Sequence, residues 1–516
     1  MRRFAIILAA LLAVLIVEPA AASGIQVEAV IWQFSRDYPG ADASDSDLPI
    51  RTVQVKTHDG TDWMSTYDSS PYAVSGPGAI QQLRSSYGSQ GIDLVAWFVP
   101  QGTDVDGQVA IAEQVIDTGV TALYADVEPF AGFCNQDCGY LADAFWKRLR
   151  NERPGARLGV MYDPRTQWLG PSAIGAWLSV TDDALPSCYW ESFAGQAPWG
   201  DPAGCVLQAR DDLAWLVPGR ALNYVPLLQG DSTPDRVRQA LDAAVTAGAG
   251  RAGLWRRGVV PASVWDMLRG YAPPPPCWQT LSDGCLLKEV SADPIYVMEA
   301  GAKFHIPDPN TFLRMGFHWS AVNIVAGGFT AGIPNIPRDG ALLKEETDPP
   351  IDVVYGGARF WIPDPGTFAA LGFDPAAVRI IPRGGFAQVP LIPIQYTRFH
   401  EVSRPEQYVI IAGQRIWLSP VTLQQLLGAG EGQPLYTVPG GGLTQVPERT
   451  NIPRGDASCD GNVDSQDALL LLRTSVALPN LGLCSFLANM DCDNAITSVD
   501  ALLVLRRAAG LPVTPC

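Results

Sequence analysis

The chain has 516 residues, 47% of them hydrophobic, and a net charge of −17 from 36 basic and 53 acidic residues. That length predicts about three to four domains. The acidic balance excludes a nucleic-acid partner, whose phosphates require a basic face, and suits a soluble extracellular protein or a binder of cations.

The chain opens MRRFAIILAALLAVLIVEPAAAS (1–23). Arg2 and Arg3 precede an apolar stretch that Ala20, Ala21, Ala22 and Ser23 close. This order predicts a secretory signal peptide, because the apolar run is short for a membrane span. No later stretch is long and apolar enough to cross a bilayer, so the sequence predicts secretion or residence at the cell surface. Ten cysteines in an exported chain predict disulfides. Cys134 and Cys138, Cys188 and Cys205, and Cys277 and Cys285 lie close in sequence, and Cys459, Cys484, Cys492 and Cys516 fall near the end. Spacing alone leaves their pairing open. Irregular spacing and only four histidines speak against zinc.

Residues 24–272 read as alternating strands and helices. Predicted strands are 26–34, 52–57, 93–99, 122–128, 157–163, 186–193, 221–228 and 251–257. Helical patterns fall between them, as at 106–119, 140–152 and 233–248. The strand count and the length favour a (β/α)8 TIM-like barrel over its rival, a doubly wound open sheet. Barrel enzymes place chemistry at the C-terminal ends of strands. Those ends are rich here in aromatic and polar groups: Trp32, Lys56, Trp97, Tyr162, Asp163, Tyr189, Glu191, Tyr224 and Trp255. Trp32, Trp97, Tyr162, Glu191, Tyr224 and Trp255 are the predicted substrate contacts, since sugar faces stack on rings and hydroxyls pair with acids.

On the fourth predicted strand, ALYADVE (122–128), Asp126 and Glu128 are two residues apart and so share one face, about 6–7 Å from each other. Crowded carboxyls separate in pKa, so that one keeps its proton as a general acid while the other stays charged. Glycoside hydrolysis needs that division. Asp126 and Glu128 are the predicted catalytic pair. The segment LYADVE resembles the Asp-x-Glu end of strand four in glycoside hydrolase families 25 and 18. The resemblance implies Glu128 as general acid and Asp126 as the residue that orients or stabilises an N-acetyl group of the substrate. Trp32 and Gln33 stand where family 25 has an acid, and Thr121 and Tyr124 where family 18 has further aspartates.

YAPPPPC (271–277) marks a stiff linker over 273–282. Residues 283–450 then repeat internally. DGCLLKE at 283 recurs as DGALLKE at 339, and GAKFHIPDPNTF at 301 recurs as GARFWIPDPGTF at 357 and, loosely, as GQRIWLSPVTL at 413. Ile306, Ile362 and Leu418 are 56 apart, as are Gly316, Gly372 and Gly428. Three α+β repeats are expected, each with short strands, a proline-initiated helix and a return strand. They carry no catalytic constellation.

Residues 455–516 hold two twelve-residue acidic loops, DASCDGNVDSQD (456–467) and NMDCDNAITSVD (489–500), each followed by an apolar helix. The first offers Asp456, Ser458, Asp460, Asp464 and Asp467, with the Asn462 carbonyl. The second offers Asn489, Asp491, Asp493, Thr497 and Asp500, with the Ala495 carbonyl. Such oxygen sets predict two Ca2+ sites. Two half-motifs 33 residues apart, each closing on Asp and followed by one helix, resemble the type I dockerin domain, a small all-α module. The resemblance implies a cohesin-type partner contacted by Ser465, Gln466, Ser498 and Val499. The sequence thus describes a secreted modular protein that hydrolyses O-glycosyl bonds in polysaccharide or peptidoglycan. The alternative is a non-catalytic surface protein that binds carbohydrate and carries a structural calcium module.

Overall fold

A computed structural model describes residues 24–38, 47–102, 104–134, 137–418, 434–450, 453–458, 460–478, 484–493 and 495–513. The predicted signal peptide, Gly428, Cys459, Asn494 and Cys516 lie outside the described residues. The chain divides into two compact units, Met1–Pro275 with His318–Ala321, and Pro276–Phe317 with Val322–Cys516. Among the described residues no helix is long and apolar enough to cross a membrane.

The first unit is a closed parallel barrel. Its staves are β1 (Gln26–Ile31), β2 (Thr52–Asp59), β3 (Asp93–Val99), β4 (Leu123–Val127), β5 (Leu158–Tyr162) and β6 (Asp183–Cys188), then β7 (Asn223–Tyr224 and Leu227–Gln229) and β8 (Arg251–Trp255). Each pairs with its sequence neighbours, and β8 returns to pair with β1. The seventh stave is broken at Pro226, which has no N–H to give a ladder. Helices between the staves, such as Pro77–Ser89, Val105–Asp117, Pro202–Leu216 and Pro234–Thr246, cover the outside.

Alternation along each stave separates two cores. Val30, Val95, Trp97, Tyr124, Met161, Leu185, Val225 and Leu227 fill the interior. Ala29, Val55, Phe98, Leu123, Ala125, Val127, Val160 and Tyr162 face the helices. The N-terminal end of the interior is closed by charge. Arg251 bonds Glu28 (2.8 Å) and Asp183 (2.9 Å), Arg157 grips both oxygens of Asp183, and the Tyr124 hydroxyl donates to Asp183 (2.8 Å). Buried ions of opposite sign with their hydrogen bonds filled are the form in which charge is tolerated inside a protein.

This network corrects one boundary. The expected sixth strand, 186–193, begins three residues earlier and ends at Cys188. An aspartate reads as a loop residue, but here Asp183 is a buried ion-pair partner and its segment joins the ladder of β5.

The second unit contains three small sheets, each of four strands in one order: third, second, first, fourth. Their first strands are Leu286–Glu289, Leu342–Glu345 and Arg398–Glu401. In the first two, Asp308 and Asp364 cap the short helices Pro309–Arg314 and Pro365–Ala370, the expected proline-initiated form. The sheets are stitched in series. Gln388 Nε2 donates to the carbonyls of Lys303 and Asn335 (2.8 and 2.7 Å), and Gln445 Nε2 to those of Arg359 and Leu391 (2.7 and 2.9 Å). Towards the end of the chain, helices Ser465–Ser475 and Ser498–Ala508 pack through Ala468, Leu471, Ala501 and Val504. Disulfides join Cys134 to Cys138, Cys188 to Cys205 and Cys277 to Cys285, and Cys484 and Cys492 are also disulfide-bonded.

Candidate active site at the barrel mouth

β4 carries its odd residues outward and its even residues inward: Leu123, Ala125 and Val127 pack under helices, while Tyr124 lies inside. Asp126 and Glu128 continue the inward row at the C-terminal end. Burial is the first force on both carboxyls, and it favours the neutral acid. It pushes Asp126 well above the ordinary aspartate range, helped by the charge of Glu128 and opposed by Lys56. It pushes Glu128 from 4.5 up to about 7, helped by Asp163 and opposed by Arg165.

The neighbours are fixed by short contacts. Lys56 pairs with Asp59 at 2.7 Å and lies 5.2 Å over the Trp97 ring. Asp163 is chelated by Arg165, with Nη2 at 2.6 Å and Nε at 3.0 and 3.1 Å from its two oxygens. Tyr189, just past β6, is hydrogen-bonded through Ser187. Burial raises its hydroxyl well above the usual range, and Asp126, Glu128 and Asp163 push the same way. Its ring lies 6.1 Å from Trp255, which meets Trp97 edge-on at 5.7 Å. The mouth therefore holds a neutral or half-neutral acid pair, a buried phenol and a tryptophan at one place.

The predicted contacts divide into three groups. Trp32 and Trp255 are partly exposed and border the interior cluster at the mouth. Trp97 is 1% exposed and donates its indole N–H to the Ile31 carbonyl, so it is floor rather than contact surface. Tyr162 and Tyr224 point away from the interior into the helix layer, where the Tyr224 hydroxyl donates to the Val206 carbonyl. On β5 the inward row is Gly159, Met161 and Asp163, which puts Tyr162 on the other side. Glu191 is exposed and takes a bond from Ser232 (2.8 Å) and an ion pair with Arg236 (3.3 Å). The predicted site set omitted Tyr189, Asp59 and Arg165. The inward alternation Leu185, Ser187, Tyr189 was the signal for the first; Asp59, at the end of β2, and Arg165, in a loop, had none.

The two acidic loops near the end of the chain are each held by their own hydrogen bonds. In the first, Gly461 N–H donates to Asp456 (2.9 Å), and Asp467 takes the N–H groups of Ser458 and Asp464 (both 2.8 Å). In the second, Asp500 takes those of Met490 (2.6 Å) and Thr497 (2.8 Å). Asp460, Asn462, Asp491, Asp493 and Ala495 are exposed, and Ser458, Asp464 and Thr497 partly so. Among the described residues no three acidic, histidine or cysteine side chains converge as a finished cation shell. The Asn489 Oδ1 atom is buried with no hydrogen-bond partner. Ser465, Gln466, Ser498 and Val499 are exposed on the first turns of the two helices.

No family model matches the chain, and no curated protein matches it in sequence. Among solved structures, a GH18 chitinase from Pseudoalteromonas aurantia is similar at 11% identity and a TM-score of 0.36, over 48% of this chain and 98% of that one. The catalytic domain of a GH18 chitinase from the fern Peteris ryukyuensis is similar at 12% and 0.33, over 47% and 96%. The spore cortex-lytic enzyme SleL of Bacillus cereus is similar at 9% and 0.34, over 48% and 74%. Similarity this distant concerns the barrel alone and carries nothing about its chemistry.

Proposed function

We propose that the barrel hydrolyses O-glycosidic bonds in a polysaccharide or peptidoglycan. One observation supports this above the others: Asp126 and Glu128 sit on one inward row of β4, and burial raises both carboxyls. A Glu128 that titrates at about 7 is a competent proton donor in neutral and mildly acidic solution. In the reaction its proton passes to the glycosidic oxygen, the bond from that oxygen to the anomeric carbon breaks, and water supplies the hydroxyl that replaces it. Asp126 and Tyr189 lie beside the donor to orient a polar substituent of the sugar, and Trp255 offers a ring face.

In the same reading the two loops hold Ca2+ through Asp456, Ser458, Asp460, Asn462, Asp464 and Asp467, and through Asn489, Asp491, Asp493, Ala495, Thr497 and Asp500. The orphaned Asn489 oxygen fits a cation site, since a buried acceptor needs a partner. The ion would supply charge that holds each loop together. Ser465, Gln466, Ser498 and Val499 present a small polar and apolar face for a cohesin-type protein, which would tether a secreted enzyme to a surface assembly.

The experiment is release of reducing ends by the purified full chain from chitin, peptidoglycan and plant polysaccharides. Release that disappears in Glu128→Gln supports the reading. Binding of glycan without release from any of them replaces it with the non-catalytic one.

A further inference from the structure

The two sides of the mouth carry different groups. β4 and β5 carry Asp126, Glu128 and Asp163 on one wall. β8 and β1 lie across the barrel from β4 and carry cations. Arg36 is exposed, and its guanidinium lies 4.9 Å from the centre of the Trp32 ring. Arg256 lies 5.6 Å from the same ring.

Among the described residues, Asp37 and Asp68 are already engaged. Asp37 is fully buried and takes the N–H groups of Trp32 (2.8 Å), Gln33 (3.2 Å) and Gly258 (2.9 Å), as well as Arg256 Nη1. Asp68 is turned into the N–H groups of Phe34 (2.6 Å), Ser35 (3.3 Å) and Ser70 (3.1 Å). Among the described residues no carboxylate pairs with Arg36. An exposed guanidinium set over an indole, with no carboxylate partner among the described residues, is placed to take a planar anion.

We propose that Arg36, seated on Trp32 beside Arg256, is an anion subsite, and that the glycan this barrel takes carries a carboxylate on a sugar next to the one cleaved. The proposal rests on the glycoside-hydrolase reading and narrows its substrate to acidic glycans. The positions of Arg36, just past β1, and of Glu128, at the end of β4, set the polarity. The carboxylate faces β1, and the scissile oxygen faces Glu128 on β4.

The test compares two tetrasaccharides on the full chain: N-acetylchitotetraose, which is neutral, and its peptidoglycan counterpart, in which alternate sugars bear a lactyl carboxylate. Arg36 is exposed and outside the acid pair, and the effect of Arg36→Gln is read as the ratio between the two sugars. For the acidic sugar the substitution raises KM about five- to tenfold with little change in kcat, the scale of one charge-assisted hydrogen bond. Added salt narrows the difference. An equal effect on both sugars, or none on the acidic one, overturns the subsite while leaving the hydrolase reading standing. If neither sugar is cleaved, the hydrolase reading falls, and calorimetric binding decides the subsite alone. Tighter binding of the acidic sugar that Arg36→Gln abolishes supports it, and equal or absent binding overturns it.

Discussion

Glu128 burdens the fold that holds it. In the unfolded chain its carboxyl titrates near 4.5, and in the barrel near 7. Between those values the folded state binds the proton and the unfolded state has lost it, so stability falls as pH rises through that window. A displacement of that size carries about 3 kcal/mol, and partial exposure of the side chain reduces it to roughly 2–3. Glu128→Gln keeps the shape and removes the charge. Its melting temperature is therefore close to that of the parent at pH 4.5, where both side chains are neutral. At pH 8.5 it is higher by roughly 5–10 °C, at about 2–4 °C per kcal/mol for a domain of this size. The assay is tryptophan fluorescence during thermal unfolding of both proteins at the two pH values. A difference of the same size at both, or a less stable variant at pH 8.5, refutes the argument that burial of this carboxyl is what raises it.

Three further outcomes follow from the same contacts. Glycan hydrolysis declines as pH rises through about 7, because Glu128 loses the proton it must donate; a rate profile with no limb between pH 6 and 8 removes Glu128 from the donor's role. Asp183→Ala leaves Arg157 and Arg251 without their shared carboxylate inside the barrel and lowers stability by about 3–5 kcal/mol, read by urea unfolding; a loss below about 1 kcal/mol shows that the network is dispensable. Calcium raises the unfolding temperature of the last region in full-length protein, and Asn489→Ala weakens the second site in calorimetric titration; unchanged binding there removes Asn489 from the ligand set.

The catalytic candidates were legible because their signal is local. Asp126 and Glu128 need only a period of two and a strand to share a side, and Tyr124 on the same row confirms which side that is. Tyr162 and Tyr224 were misplaced for the same reason in reverse. Their residue type suits a sugar, but the inward row of β5 passes through Met161, and the phase is set by pairing with β4, where Asp126 is opposite Met161. Pairing between distant segments leaves no local mark. Asp183 shows a second limit: its burial depends on arginines at 157 and 251, and no window around residue 183 contains either the charge or the need for it.

The glutamine stitches between the small sheets reach only main-chain carbonyls. Gln388 takes hold of residues 303 and 335, which are Lys and Asn, and Gln445 takes hold of 359 and 391, which are Arg and Leu. What is recognised is the path of the backbone, not the identity of the residue. Copies joined this way are free to diverge in their side chains without losing their seats, and an inserted copy with the same path finds its neighbours already suited to it. The length of the array is thus separable from what its surface displays, and evolution or a designer can set the two independently.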